Sequence, residues 1–229
     1  MANQYLQYQE NAKNKANYLD PLVWKVGLDF DDGPDRRVIY SIKNKTDNLI
    51  FWGEGPVDLS IDYDLRFYST RLKDRGLKKY DFIPNGSGSP LVSKKVVDKL
   101  NELCPDEFQA IPAKVGKEDK VTGEYIPFNI ECYLLNLLKY VDCVDRERST
   151  CYMFSDPPGA IRGVKKLFFL PNCIQGYMMA RAKDLSTLII VSQEFAKIFA
   201  APNYYGGYFK TPEELYYGLY TGNYWEKKE

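Results

Sequence analysis

The stretch Pro84-Asn85-Gly86-Ser87-Gly88-Ser89-Pro90 constrains this chain most. Two prolines and two glycines within seven residues cannot continue a helix or a central strand. The stretch reads as a flexible loop and as a joint between residues 1–87 and residues 88–229. A phosphate-cradling role for Asn85 to Ser89 fails, because the lysine and the glycine spacing of a P-loop are missing.

Before the loop the texture is aromatic and rich in aspartate. Short runs at Val38–Ile42 and Leu49–Trp52 read as strands, bounded by Asp32-Gly33-Pro34 and Gly53-Glu54-Gly55-Pro56. Tyr5 to Leu19 has only a weak helical period. Asp29, Asp31, Asp32 and Asp35 around Gly33 suggest a calcium loop, but the glycine falls fifth rather than sixth, and Tyr40 stands where the bidentate glutamate belongs. An exposed acidic turn is the better reading.

Directly after the loop, Ser93 can cap a helix. Val92 and Val97 can staple its start, Val96, Val97, Leu100 and Leu103 line one face, and Pro105 ends it. From Phe128 to Leu134 apolar and polar residues alternate with the period of two of a half-buried strand. Leu167–Leu170, Tyr177–Ala180 and Leu188–Val191 read as three further strands. Ser192 caps a second helix carrying Phe195, Ile198 and Phe199, stopped by Pro202. Thr211-Pro212-Glu213-Glu214 starts a short third helix reaching about Tyr217. With no regular βαβ rhythm, the expectation is an α+β fold: a mostly antiparallel sheet with a few packed helices. Residues 1–87 form its β-rich region, able to stand as a subdomain, and residues 88–229 its α+β domain.

Composition narrows function more than fold. The chain has 229 residues, 45% of them apolar, enough for a sizeable core. Thirty-one basic residues balance 31 acidic ones, so no global field draws it to nucleic acid or to an anionic membrane. The start, MANQYLQYQENAKNK, lacks the apolar run of a signal peptide, and no stretch approaches the roughly 18 apolar residues of a spanning helix. The expected address is the cytoplasm.

Histidine is absent. Its absence removes the commonest general base and metal ligand and every Ser-His or Cys-His arrangement. The five cysteines, Cys104, Cys132, Cys143, Cys151 and Cys173, contain no C-x-x-C pair and read as free thiols packed as small apolar residues. No catalytic residue, no metal ligand and no cofactor is expected. The reading is a protein that binds another protein.

Two segments are the candidates for that contact. The carboxyl-terminal end is rich in tyrosine, with Tyr204, Tyr205, Tyr208, Tyr216, Tyr217, Tyr220 and Tyr224 beside Trp225. Such rings either pack on the domain's own core or anchor an interface, and without accompanying basic residues they do not suit nucleic acid. The run Asp142-Cys143-Val144-Asp145-Arg146-Glu147-Arg148-Ser149 alternates charge. It is either a solvated turn with internal ion pairs or an electrostatic contact. The expected partner-binding residues are Asp142, Asp145, Arg146, Glu147, Tyr204, Tyr205 and Tyr208.

The blocks GSPLVSKKVVDKL, FQAIPAKV, YVDCVDRERS, LFFLPNCIQGYMMARAKDLSTLIIVSQEFAKIF and NYYGGYFKTPEE, in that order, resemble the bacterial polymorphic-toxin immunity proteins classed as immunity protein family eleven. Asp145, Glu147 and Ser149 match a D-x-E-x-S-like run of that family. The chain has Tyr205-Gly206-Gly207-Tyr208 where the family usually has a threonine-glycine pair. The resemblance begins at Gly88. It implies a non-enzymatic protein whose partner is a cognate toxin acting in the cytoplasm, with neither nucleic acid nor membrane as partner. A regulatory module with a non-toxin partner and an enzyme reversing a toxin's modification are the alternatives. The sequence sets no oligomeric state.

Overall fold

The computed structural model describes residues 21–25, 38–40, 55–69, 73–85, 87–153, 161–200 and 202–212. The sequence readings for Tyr5–Leu19, the Asp29–Asp35 cluster, Leu49–Trp52 and the tyrosines from Tyr216 onwards lie outside these residues, as does the Thr211 helix beyond Pro212. In chain order the elements are β1 (Leu22–Lys25), β2 (Val38–Tyr40), β3 (Leu65–Ser69), α1 (Asp74–Leu77), β4 (Phe82–Ile83), β5 (Leu91–Ser93) and α2 (Lys94–Leu103). There follow β6 (Phe108–Glu118), β7 (Tyr125–Pro127), β8 (Cys132–Leu137), β9 (Tyr140–Val141), β10 (Thr150–Met153) and β11 (Ile161–Lys166). The last are β12 (Met179–Ala182), β13 (Leu185–Val191), α3 (Gln193–Phe199) and β14 (Tyr208–Lys210).

One sheet has the order β14-β1-β13-β12-β9 and a second the order β2-β3-β6-β8-β5-β4, with β7 added to β6; β10 and β11 form a separate hairpin. The α+β class holds, but the sheets are mixed rather than simply antiparallel. β3 runs parallel to β6, from Leu65 opposite Ala113 to Tyr68 opposite Gly116, and β12 runs parallel to β9. A parallel pair needs a crossover instead of a hairpin, and here α1, β4, β5 and α2 lie between β3 and β6 in the chain. Strands from both sides of residue 87 share both sheets: β1 lies between β13 and β14, and β3 and β4 pair with β6 and β5.

The burial pattern explains the runs of apolar residues. In β13, Ile189 and Val191 enter a central cluster, while Leu188 and Ile190 enter a second cluster on the opposite face. In β8, Leu135 and Leu137 enter the same central cluster, while Cys132 and Leu134 enter a third. The central core therefore receives one face of each sheet, together with Val96, Val97 and Leu100 of α2 and Phe195 and Phe199 of α3. A strand covered on both faces has no reason to alternate apolar with polar residues.

Several expected strands are shifted in the structure. The strand expected from Phe128 begins at Cys132 and runs to Leu137; Phe128 and Ile130 precede it and pack beside the third cluster. Leu167–Leu170 lies beyond β11 and pairs only through a bridge between Phe169 and Val144. Tyr177 and Met178 precede β12, which starts at Met179.

The Gly-Ser loop turns out to be a tied hairpin connection between β4 and β5, paired through Phe82 with Val92. The Asn85 side chain donates to the carbonyls of Ile83 and Ser89, and Ser89 Oγ accepts from Arg181 of β12 at 2.7 Å. Asn85 and Ser89 are buried. These side-chain bonds replace the flexibility its composition suggests.

Candidate functional site

Of the candidate tyrosines, Tyr204 and Tyr205 sit on the connection from α3 to β14, and Tyr208 is the first residue of β14. Ser192 caps α3 as expected, its hydroxyl accepting from Phe195 N at 3.0 Å. The helix ends at Phe199, and the chain then crosses over β4. There the backbone of Tyr205 is held from two sides. Its carbonyl accepts from Asp81 N and Phe82 N at 2.9 and 3.0 Å, and its N–H donates to Asp81 Oδ2 at 2.9 Å.

Asp81 organises this corner. Its other carboxylate oxygen accepts from Ser93 Oγ at 3.1 Å, which is why Ser93 precedes α2 without a side-chain cap bond. Lys95 Nζ reaches Asp81 at 3.4 Å, donates to Asn203 O, and lies 4.3 Å from the Tyr204 ring centroid. Gly206 makes the close crossing possible. It adopts φ +94, and a Cβ there would run into the Phe82 carbonyl oxygen.

The three tyrosines therefore differ in role. Tyr204 packs inward, its ring 4.9 Å from Phe199. Tyr208 is half-buried in β14, opposite Lys25. Tyr205 stands out, 45% exposed, with one side of its ring 4.9 Å from Tyr80. A large exposed ring on a backbone fixed at both its N–H and its carbonyl has little conformational freedom left to lose in a contact.

The charged segment follows β9. Asp145 Oδ1 accepts the N–H groups of Glu147 and Arg148, both at 3.1 Å, closing a turn. Ser149 Oγ exchanges hydrogen bonds with Phe168. Arg146 pairs with Asp184 at 2.8 Å, and that bond raises its pKa. Arg148 reaches Asp145 at 3.7 Å and lies over the Phe168 ring. The arginines are thus engaged within the protein, while Asp142 and Glu147 are exposed and pair with no cation among the described residues.

β9 and β14 are the two edges of one sheet, four strand spacings apart. At about 4.8 Å per spacing, the two candidate segments are separated by roughly 19 Å. The structure does not bring them into one cluster. A standard interface buries about 800 Å² per partner, a patch roughly 30 Å across, so a single partner can reach both.

A third surface escaped the sequence reading. In the connection before β3, Leu59 and Ile61 are 54% and 53% exposed between Asp58 and Asp62. Asp58 and Asp62 fold this connection locally, accepting from Ser60 N and Asp64 N. Gln109 and Asn136 anchor its start through hydrogen bonds to Val57 and Gly55. Its apolar-polar alternation is that of a half-buried strand, so the pattern hides an exposed loop.

No group of three or more potential metal-ligating side chains occurs among the described residues. No helix there is long and apolar enough to cross a membrane. Compared with known families, residues 33–213 match the model of the immunity protein family (Imm11), so the similarity starts well before Gly88. No curated protein matches the chain.

Proposed function

The chain belongs to the immunity protein family (Imm11), and from that premise we propose that it neutralises a cognate polymorphic toxin by binding it one to one. The family match over residues 33–213 carries this reading. The toxin acts in the cytoplasm, on nucleic acid, nucleotides or the translation machinery. Tyr205 supplies the aromatic anchor of the contact, with Tyr204 and Tyr208 supporting it. Asp142, Asp145, Arg146 and Glu147 supply the charged contact. The mechanism is occlusion of the toxin's surface and needs no chemical step from this chain.

Co-expression with the toxin encoded beside it tests the proposal. Rescue of the cells together with copurification of a stable complex is expected. Rescue without a complex, by substoichiometric amounts of the chain, would instead identify an enzyme that reverses the toxin's modification. A cognate toxin that hydrolyses peptidoglycan would overturn the cytoplasmic site of action.

A further inference from the structure

The side chains of Cys143 and Cys173, about 30 residues apart in the chain, meet in one apolar cluster. Two segments bring them together. The Cys143 carbonyl accepts from Leu170 N at 2.9 Å, and Val144 forms an antiparallel bridge with Phe169. The chain then turns back, with Cys173 N reaching Leu170 O at 3.4 Å. Asn172 permits the turn with φ 56, a left-handed conformation that asparagine tolerates. Both cysteines pack in the same apolar cluster, Cys143 fully buried and Cys173 half-buried.

We propose that Cys143 and Cys173 form a redox-modification site, closing to a reversible disulfide when the protein meets a hydroperoxide. Cys173 is the more accessible thiol and reacts first. The neighbouring Cys173 thiol and burial push the Cys143 thiol up, so Cys143 keeps its proton until Cys173 has reacted. Asp142 and Asp184 place negative charge near the pair, which disfavours an anionic oxidant and leaves a neutral hydroperoxide as the matching class.

The electron balance is that of two thiols and one peroxide. The Cys173 thiolate attacks the terminal peroxide oxygen: an S–O bond forms, the O–O bond breaks, and the departing oxygen takes up a proton and leaves as water from hydrogen peroxide or as an alcohol from an organic hydroperoxide. Cys143 sulfur then attacks the Cys173 sulfenic acid. The S–S bond forms, the S–O bond breaks, and the Cys143 proton leaves with the hydroxide as water. Two electrons and two protons pass from the thiols to the peroxide. The resulting bond ties the edge beyond β9 to the turn before β12 and closes the chain around β10 and β11. This inference does not depend on the immunity reading.

The test uses the purified, reduced full chain treated with hydrogen peroxide and mapped by mass spectrometry without reduction. A loss of about 2 Da, a single Cys143–Cys173 cross-linked peptide and reversal by dithiothreitol are expected, with a rise in Tm of roughly 5–10 °C on oxidation. Cys143→Ser should leave a Cys173 sulfenic acid that dimedone traps. Cys173→Ser at the half-buried position should abolish the mass loss, while Cys151→Ser should leave it intact. A cross-link through Cys151, or a Cys173 sulfenic acid that persists in the unsubstituted chain, would overturn the proposal.

Discussion

The carboxylate of Asp81 and the backbone N–H of Tyr205 are 2.9 Å apart, although the two residues are separated by 124 positions in the chain. This bond fixes the direction in which the most exposed tyrosine of the α3–β14 connection leaves the surface.

Tyr205→Ala should cost stability only about 1 kcal/mol or less, the value of its ring contact with Tyr80. It should weaken toxin binding about 30-fold or more, as the loss of a central aromatic anchor does. Denaturant unfolding and calorimetric titration of the same preparation measure the two effects. Equal affinity for variant and parent would remove Tyr205 from the interface.

Asp81→Ala should instead destabilise the fold by about 2 kcal/mol, because it leaves the Tyr205 N–H and the Ser93 hydroxyl without their acceptor. Gly206→Ala should cost at least as much. It adds a Cβ at a left-handed backbone position against the Phe82 carbonyl. Thermal unfolding checks both, and a Tm unchanged within about 1 °C for Gly206→Ala would contradict the close crossing.

The two surfaces outside the tyrosine corner give a contrasting pair of variants. Leu59→Ser together with Ile61→Ser should change stability by less than about 0.5 kcal/mol each, since both side chains are exposed. Toxin affinity should remain unchanged in that variant and fall in Asp142→Lys. The reverse result in titrations would move the interface to the loop before β3.

Alkaline pH should destabilise the protein through its buried thiols. Burial pushes Cys104 and Cys132 up to about 12 from an ordinary 9.0. The folded thiols stay protonated while the unfolded ones ionise, so the unfolded state releases protons first. Their contribution to stability is complete below about pH 9 and is lost as pH rises toward 12. Denaturant midpoints at pH 7.5 and 10.5 measure the loss. At pH 8, iodoacetamide should label neither thiol in the native protein.

Local chemistry was the legible part of this fold. Ser192 and Pro202 bracket α3, Val96, Val97 and Leu100 give the buried face of α2, and Leu188–Val191 gives the last four residues of β13. The readings failed where distant groups decide. Ser93 looks like a helix cap, but its hydroxyl goes to Asp81. The Gly-Ser loop looks slack, but Arg181 and its own Asn85 tie it down. The alternation of Phe128 and Ile130 places the start of β8 four residues early, because both pack beside the third cluster ahead of the paired residues. At the candidate surfaces, the tyrosine run was visible in the sequence. That Tyr204 packs inward while Tyr205 stands out was not, because the backbone contacts with Asp81 and Phe82 set it.

Titration of the cognate toxin's activity with increasing amounts of this chain tests the central claim most directly. Binding and occlusion predict that activity falls linearly and ends at one chain per toxin, with the chain recovered in the complex. Full activity at several-fold excess of the chain, or complete loss at a small fraction of one equivalent, would contradict it.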